Sequence, residues 1–190
     1  MEQAAKKIVA WQINRGTLSE SDRAVYQYAY ELLINQTINI LLAGLIAFWF
    51  KAPLAVVMFL VCYIPLRSFC GGYHANTNFG CTVVSAFILC AVCRVFNVAG
   101  VFLLKWYPVV FIFAGYMVVR YAPVQDQNKP LDSAEKVRYR VISRIIWSIE
   151  AVIGILMYWR QMQLGLVVAL SHLIMAFMLG LGVFKNYKLK

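Results

Sequence analysis

Charge is scarce in this chain, and acidic charge is the scarcest. Of 190 residues 14% are charged and 8 are Asp or Glu, while 62% are hydrophobic. Soluble domains run at about 25% charged and about 45–50% apolar. A globule of this size keeps too much surface exposed to hide such an excess, which excludes an ordinary soluble domain. The same balance excludes disorder. Cysteines number five, which is odd and sparse, and that argues against a disulfide-stapled scaffold. The 18 Lys and Arg give a net charge of +10, but no polar domain carries them as a basic stripe, so nucleic acid is not an expected partner. No glycine-rich phosphate cradle occurs. No basic segment followed by a short apolar one opens the chain, so a cleavable signal peptide is not expected. What is left is an all-α integral membrane protein with the lipid bilayer as its surroundings.

Six apolar stretches carry that reading, roughly Ile34–Phe50, Ala52–Leu66, Thr82–Val98, Val101–Tyr121, Val141–Tyr158 and Leu164–Phe184. A spanning helix needs about 20 residues, so the shorter stretches must recruit neighbours or thin the bilayer. Four spans with two membrane-dipping segments is the alternative arrangement. Pro65 and Pro108 are expected to kink their helices. Residues 1–35 form an amphipathic N-terminal segment. Ala4, Ala5, Ile8 and Trp11 make one stripe before Gly16, and a capping-box pattern at Thr17–Glu20 opens a second with Val25, Tyr28, Ala29 and Leu32. Such segments lie on a headgroup surface or pack on the membrane domain. With no linker or internal repeat in sight, residues 1–190 read as a single domain.

The basic residues orient it. With six spans, one side holds Lys6, Lys7, Arg15 and Arg23, then Arg67, six cations from Arg120 to Arg144, and Lys185, Lys188 and Lys190. That is 14, against Lys51, Arg94, Lys105 and Arg160 on the other side. The positive-inside rule therefore predicts a multi-pass protein of the cell membrane with both termini cytoplasmic.

Two stretches break the apolar pattern, both on that cytoplasmic side. The segment 67–81 runs from Arg67 through Gly71-Gly72 and His74 to Cys81. His74 and Cys81 stand seven residues apart, on one face if the segment is helical, and a folded-back loop would join them equally well. A cysteine acts as a nucleophile through its thiolate, and a neighbouring imidazole can take its proton and later return one to a leaving amine. A cysteine heading a membrane helix is otherwise a small apolar packer. Cys70 is the rival nucleophile. Cys62, Cys90 and Cys93 read as packing residues, and His172 as a helix–helix contact. A metal site of Cys70, His74 and Cys81 fits no common zinc spacing and lacks a fourth ligand; neither metal nor cofactor is expected. The second stretch, the basic loop 121–140, is either a solvated flank or a docking surface for an acidic partner.

These breaks together resemble the AgrB family, the membrane peptidases that process the AgrD precursor in Gram-positive quorum sensing. Arg67, Gly72, His74-Ala75 and Cys81 carry the resemblance, with Tyr121-Ala122-Pro123 and Lys129-Pro130 further on. It spans essentially the whole chain and implies that His74 and Cys81 are the catalytic pair of a cysteine endopeptidase. Arg67, Gly72, Lys129 and Pro130 would bind substrate or support the site. The implied partner is an AgrD-like precursor peptide, cut near its C-terminal tail and cyclised to a thiolactone or lactone, and the family implies a homodimer. One departure is that Asp126, Asp132 and Glu135 dilute the basic loop. A third residue orienting His74 would come from Asn76, Asn78, Ser85 or Asp126. The rival reading is a small transporter or channel, suggested by Glu150 and His172 in or near apolar segments; a membrane adaptor is a further one.

Overall fold

At membrane depth a backbone must close its own hydrogen bonds, and a helix does so within one segment. The apolar stretches are helical throughout in the computed structural model, which describes residues 2–73, 77–125 and 131–188. His74, Ala75 and Asn76, and the loop from Asp126 to Pro130 with Lys129, lie outside the described residues. The helices are α1 (Glu2–Asn14), α2 (Arg23–Trp49), α3 (Pro53–Cys70), α4 (Asn78–Ala99), α5 (Tyr107–Tyr121), α6 (Ser133–Trp159) and α7 (Leu164–Lys188). Six helical segments are long and apolar enough to cross a membrane. α5 reaches that length only with part of the 3₁₀ segment Gly100–Trp106 ahead of it. Among the described residues there is no strand, only an isolated bridge between Gly71 and Val124.

Turn chemistry sets the helix ends. α1, α2 and α6 each end in a paired motif with one residue in the left-handed region: Gly16 at φ 70°, Lys51 at 53° and Gln161 at 53°. At the α2–α3 turn Ala52 N–H donates to Ala47 O at 3.0 Å and Lys51 N–H to Phe48 O at 3.1 Å. Met162 and Gln161 repeat this after α6, on Met157 O and Tyr158 O at 2.9 and 3.0 Å. Both pairs absorb carbonyls that a helix end leaves unsatisfied.

Two expectations change. The box at Thr17–Glu20 does not start a separate surface helix. Thr17 Oγ1 donates to Gln12 O, and Ser19 caps a single 3₁₀ turn that runs into α2. With no Gly or Pro from Thr17 to Ile34 to break it, the second stripe and the first span are one helix of 27 residues. α1 packs on α2 through Ala5 and Val9, both fully buried, and through Gln12 Nε2 on Tyr30 Oη at 2.8 Å. Trp11 of the first stripe is exposed beneath the Arg15 guanidinium. Pro65 lies inside α3, the setting in which a kink is expected, whereas Pro108 lies in the first turn of α5, where its missing N–H costs nothing.

The ends of the bundle cluster as six alternating spans require. At one end Asn97 Nδ2 reaches Phe50 O and Gln163 Nε2 reaches Phe96 O, each at 2.7 Å. At the other Val124 N–H donates to Cys70 O, Tyr73 N–H to Met178 O and Asn186 Nδ2 to Gln125 O, all at 2.8 Å. α7 runs through the middle: Val167, Val168, Met175 and Leu179 are fully buried and belong to all three apolar clusters. Close contacts depend on small residues, as expected where lipid is as apolar as the helices. A Cβ on Gly154 would fall 1.9 Å from Tyr107 Oη, and one on Gly115 2.6 Å from Trp147. Outward side chains such as Phe48, Trp49, Phe87 and Ile112 are exposed, forming the lipid-facing surface.

Candidate functional site

The polar break after the second span is built from its glycines. Gly71 and Gly72 have φ of 70° and 112°, where side-chain-bearing residues are strained. Space is equally restrictive: a Cβ at Gly71 would lie 1.9 Å from Val124 O, and one at Gly72 2.8 Å from Met178 O. From the opposite side, Gly182 of α7 leaves the gap into which Gly72 and Tyr73 fit. The chain is thereby threaded between the loop after α5 and the backbone of α7.

Arg67 does not stand in that loop. It belongs to the last turn of α3, which continues to Cys70. Its guanidinium donates to the carbonyls of both Gly71 and Tyr73. Two donors in a rigid fork suit such a clamp, and the compact ammonium of lysine does not. The Tyr73 N–H is held by Met178 O, and Lys185 lies 5.4 Å from its ring centre. Arg67 and Gly72 thus fix the backbone that leads into His74.

Cys81 sits in the first turn of α4. Thr77 caps this helix, its hydroxyl accepting from Gly80 N–H at 3.0 Å, and Cys81 N–H donates to Thr77 O at 3.1 Å. α4 starts at Asn78 and Thr77 is a bend, so the helix that carries Cys81 begins three residues before it, and His74 lies outside the described residues. The half-buried Cys81 side chain lines a partly open cavity of about 300 Å³ between α2, α3 and α4, with Met178 of α7 at its wall. Arg67, Tyr73, Tyr63, Asn35 and Asn39 line it too. Next to Cys81, Thr82 Oγ1 donates to Asn35 Oδ1 at 3.3 Å, tying α4 to α2.

The other cysteines sit elsewhere, and all five are free thiols. Cys70, the rival nucleophile, is fully buried among Leu66, Val118, Ala122, Met175 and Leu179. Cys62 and Cys93 are buried, and Cys90 packs on the cluster shared by α2, α3 and α4. His172 is fully buried on α7, its Nε2 3.1 Å from Glu150 Oε2 of α6, which makes it the helix–helix contact expected. Among the described residues no three His, Cys, Asp or Glu side chains gather as metal ligands.

Of the second polar stretch, the described acidic residues Asp132 and Glu135 are engaged with each other's backbone. Asp132 caps α6, accepting from Glu135 N–H at 2.7 Å, while Glu135 accepts from Asp132 N–H at 3.2 Å. They form the capping box that starts α6. Basic groups collect slightly further in: Arg120, Arg140 and Arg144 line an open depression of about 600 Å³ between α5 and α6. Sequence reasoning did not single out Asn35, Gln36 and Asn39, although three carboxamides inside one apolar run were the signal available.

With this arrangement in place, the known proteins can be compared. The family model described as Accessory gene regulator B matches residues 2–179. A Clostridium perfringens protein (strain SM101 / Type A) named as AgrB-like is 29% identical over 122 residues, covering 60% of this chain and 56% of its own. A second, from strain 13 / Type A and named AgrB-like protein 2, is 26% identical over 139 residues, or 68% and 64%. The chain thus matches less than two thirds of the length of either relative. No solved structure matches it. On the match across nearly its whole length, the chain belongs to the Accessory gene regulator B family.

Proposed function

We propose that this chain is a membrane cysteine endopeptidase of quorum sensing, which removes the C-terminal tail of an AgrD-like autoinducer precursor and closes the remainder into a thiolactone or lactone. The observation that carries the reading is the placement of the cysteines: Cys81 lines a cavity together with Arg67 and Tyr73, while Cys70 is sealed in the core. The whole chain acts as one membrane-embedded unit, with both termini and the reaction on the cytoplasmic face that the basic residues mark.

His74 takes the proton from Cys81 Sγ, and the sulfur attacks the carbonyl carbon at the cleavage point. His74 then gives a proton to the departing amine, the C–N bond breaks, and the tail leaves with an acyl-thioester left on Cys81. A thiol or hydroxyl within the bound peptide next attacks that thioester. It closes the ring and returns Cys81 as a thiol. Exchange of one thioester for another conserves the acyl activation, so no nucleotide is consumed. The partial positive charge of α4's first turn stabilises negative charge developing beside it. Packing against α2 and α3 keeps water from the intermediate. Arg67 is the positioning residue, holding the Gly71 and Tyr73 carbonyls so that His74 follows from a fixed strand of backbone. Lys129 and Pro130 support the loop on the same face, where the acidic tail would be attracted, and that attraction weakens with salt.

Co-expression with an AgrD-like precursor tests the reading by mass spectrometry. Wild-type protein releases the tail and yields a cyclic product, and Cys81→Ser yields neither or a stalled acyl-enzyme. Tail release by a Cys81→Ala protein sinks the assignment.

A further inference from the structure

The lining of the Cys81 cavity changes with depth in a regular way. α2 presents Asn35, Asn39 and Ala43 at successive turns, α4 presents Cys81, Ser85 and Leu89, and the antiparallel α3 presents Arg67, Ile64 and Leu60. Each turn descends about 5.4 Å. The mouth therefore holds the reactive and charged groups, the floor is apolar, and Asn39 stands one turn below the mouth.

The polar groups at the mouth are engaged. Arg67 donates to Gly71 and Tyr73 carbonyls, and Asn35 Oδ1 accepts from Thr82. Asn39 is different. Its Oδ1 is shut off from solvent and has no hydrogen-bond partner among the described residues, although Asn39 lies inside a span. Burying a carbonyl oxygen unpaired is costly, and an apolar side chain of the same size would avoid the cost. A carboxamide whose residue lines a cavity beside the nucleophile, and whose oxygen is unpaired where it now points, gains a partner by turning its plane toward an occupant that donates to it.

We infer that this cavity is the acyl-side binding site for a short stretch of extended peptide, and that Asn39 pairs with one of its backbone amides. A carboxamide carries one acceptor and two donors on one plane, which matches the N–H and C=O that a peptide strand presents. Asn39 Oδ1 accepts the peptide N–H and its Nδ2 donates to the neighbouring C=O. Because both contacts are to backbone, this site takes peptides irrespective of their sequence, and selectivity falls to the apolar floor of Phe59, Leu60, Ile88 and Leu89. The volume, at the lower end of the usual range for ligand pockets of about 300–1,000 Å³, admits a short segment and not a whole precursor. A lipid tail would fill the floor but would leave Oδ1 unpaired. The proposal rests on Cys81 being the nucleophile only in naming which part of the peptide lies here.

The test separates binding from chemistry. A fluorescent synthetic AgrD-like precursor is titrated into the full chain in lipid nanodiscs, comparing Cys81→Ala with Cys81→Ala/Asn39→Leu. Leucine keeps the volume and removes the carboxamide. The expected result is at least a tenfold weaker Kd for the double variant, with a melting temperature equal to or above that of Cys81→Ala. Unchanged affinity overturns the proposal, as it would if lipid or water satisfied Asn39. A lowered melting temperature in the double variant also overturns it, because Asn39 would then be a structural group. Cleavage by the wild type is measured in parallel: if Cys81→Ala still cleaves, the nucleophile assignment falls while the Asn39 result stands by itself.

Discussion

On one side of the bundle α6 and α7 meet at Glu150 and His172; on the other, α2 faces α3 and α4 across the cavity at Asn39. Both sides bury polar atoms among apolar helices. At the first the helices are packed shut, His172 is fully buried, and a carboxylate oxygen lies 3.1 Å from its ring nitrogen. At the second a cavity lies between the helices and a carboxamide oxygen is left without a partner among the described residues. A polar group at depth is retained either because another helix needs it or because something else does. His172 Nδ1 also lacks a partner among the described residues, so what separates the two sites is that Glu150 and His172 join two helices, whereas Asn39 lines a cavity.

That contrast can be broken by substitution, and the largest effect belongs on the open side. Cys81→Ala should reduce tail release by roughly 1,000-fold or more, whereas Cys70→Ala should leave release intact and cost about 1 kcal/mol of stability for the small void it makes. Tail release quantified by mass spectrometry, beside melting curves in detergent, checks both. Equal loss in the two variants would erase the distinction.

On the closed side, Glu150→Leu alone should destabilise by about 3 kcal/mol, since it strands His172, while Glu150→Leu/His172→Leu should recover most of that loss. Denaturation in mixed micelles measures it. A double variant no better than the single would show that the pair is not a unit. Peptide affinity at the Asn39 cavity should not change in either.

Gly182 joins the two halves, being part of α7 yet facing Gly72 and Tyr73. A Cβ there would lie 2.7 Å from Gly72 C, so Gly182→Ala must move the backbone that Arg67 clamps. A displacement near 1 Å costs roughly 100-fold in reactions that depend on placement, and single-turnover rates should fall on that scale with α7 still folded by circular dichroism. The smallest change is expected at the far end. Lys51 and Gln161 hold left-handed conformations at a cost of about 1 kcal/mol each. Gln161→Gly, which relieves that strain but frees the unfolded chain, should raise stability by about 0.5 kcal/mol and leave processing untouched.

Much of the fold was legible because its signals are local. Six apolar runs mark six helices, and the glycine at 16 and the polar gap at 71–77 mark breaks. Boundaries went astray where a neighbour decided. α3 extends past its apolar run to take in Arg67 because that side chain finds carbonyls ahead of it. Thr17 lost its expected capping role because Gln12 O was within reach. The candidate site was readable as residue types at Arg67, Gly72 and Cys81, but their roles were not. Asn39 drew no attention in a run otherwise fit for lipid, since nothing in its neighbours along the chain says which way it faces.

Composition and patterning by themselves determined that this chain is a helical membrane protein with six spans, because hydropathy over about 20 residues is a property of the segment. They also determined which end of the bundle is basic. Only the tertiary structure decided that Cys70 is sealed while Cys81 opens on a cavity, that Arg67 clamps the Gly71–Tyr73 backbone, and that Asn39 Oδ1 has no partner among the described residues. Those outcomes depend on which helices lie side by side and how closely their small residues let them approach, and no single segment carries that information.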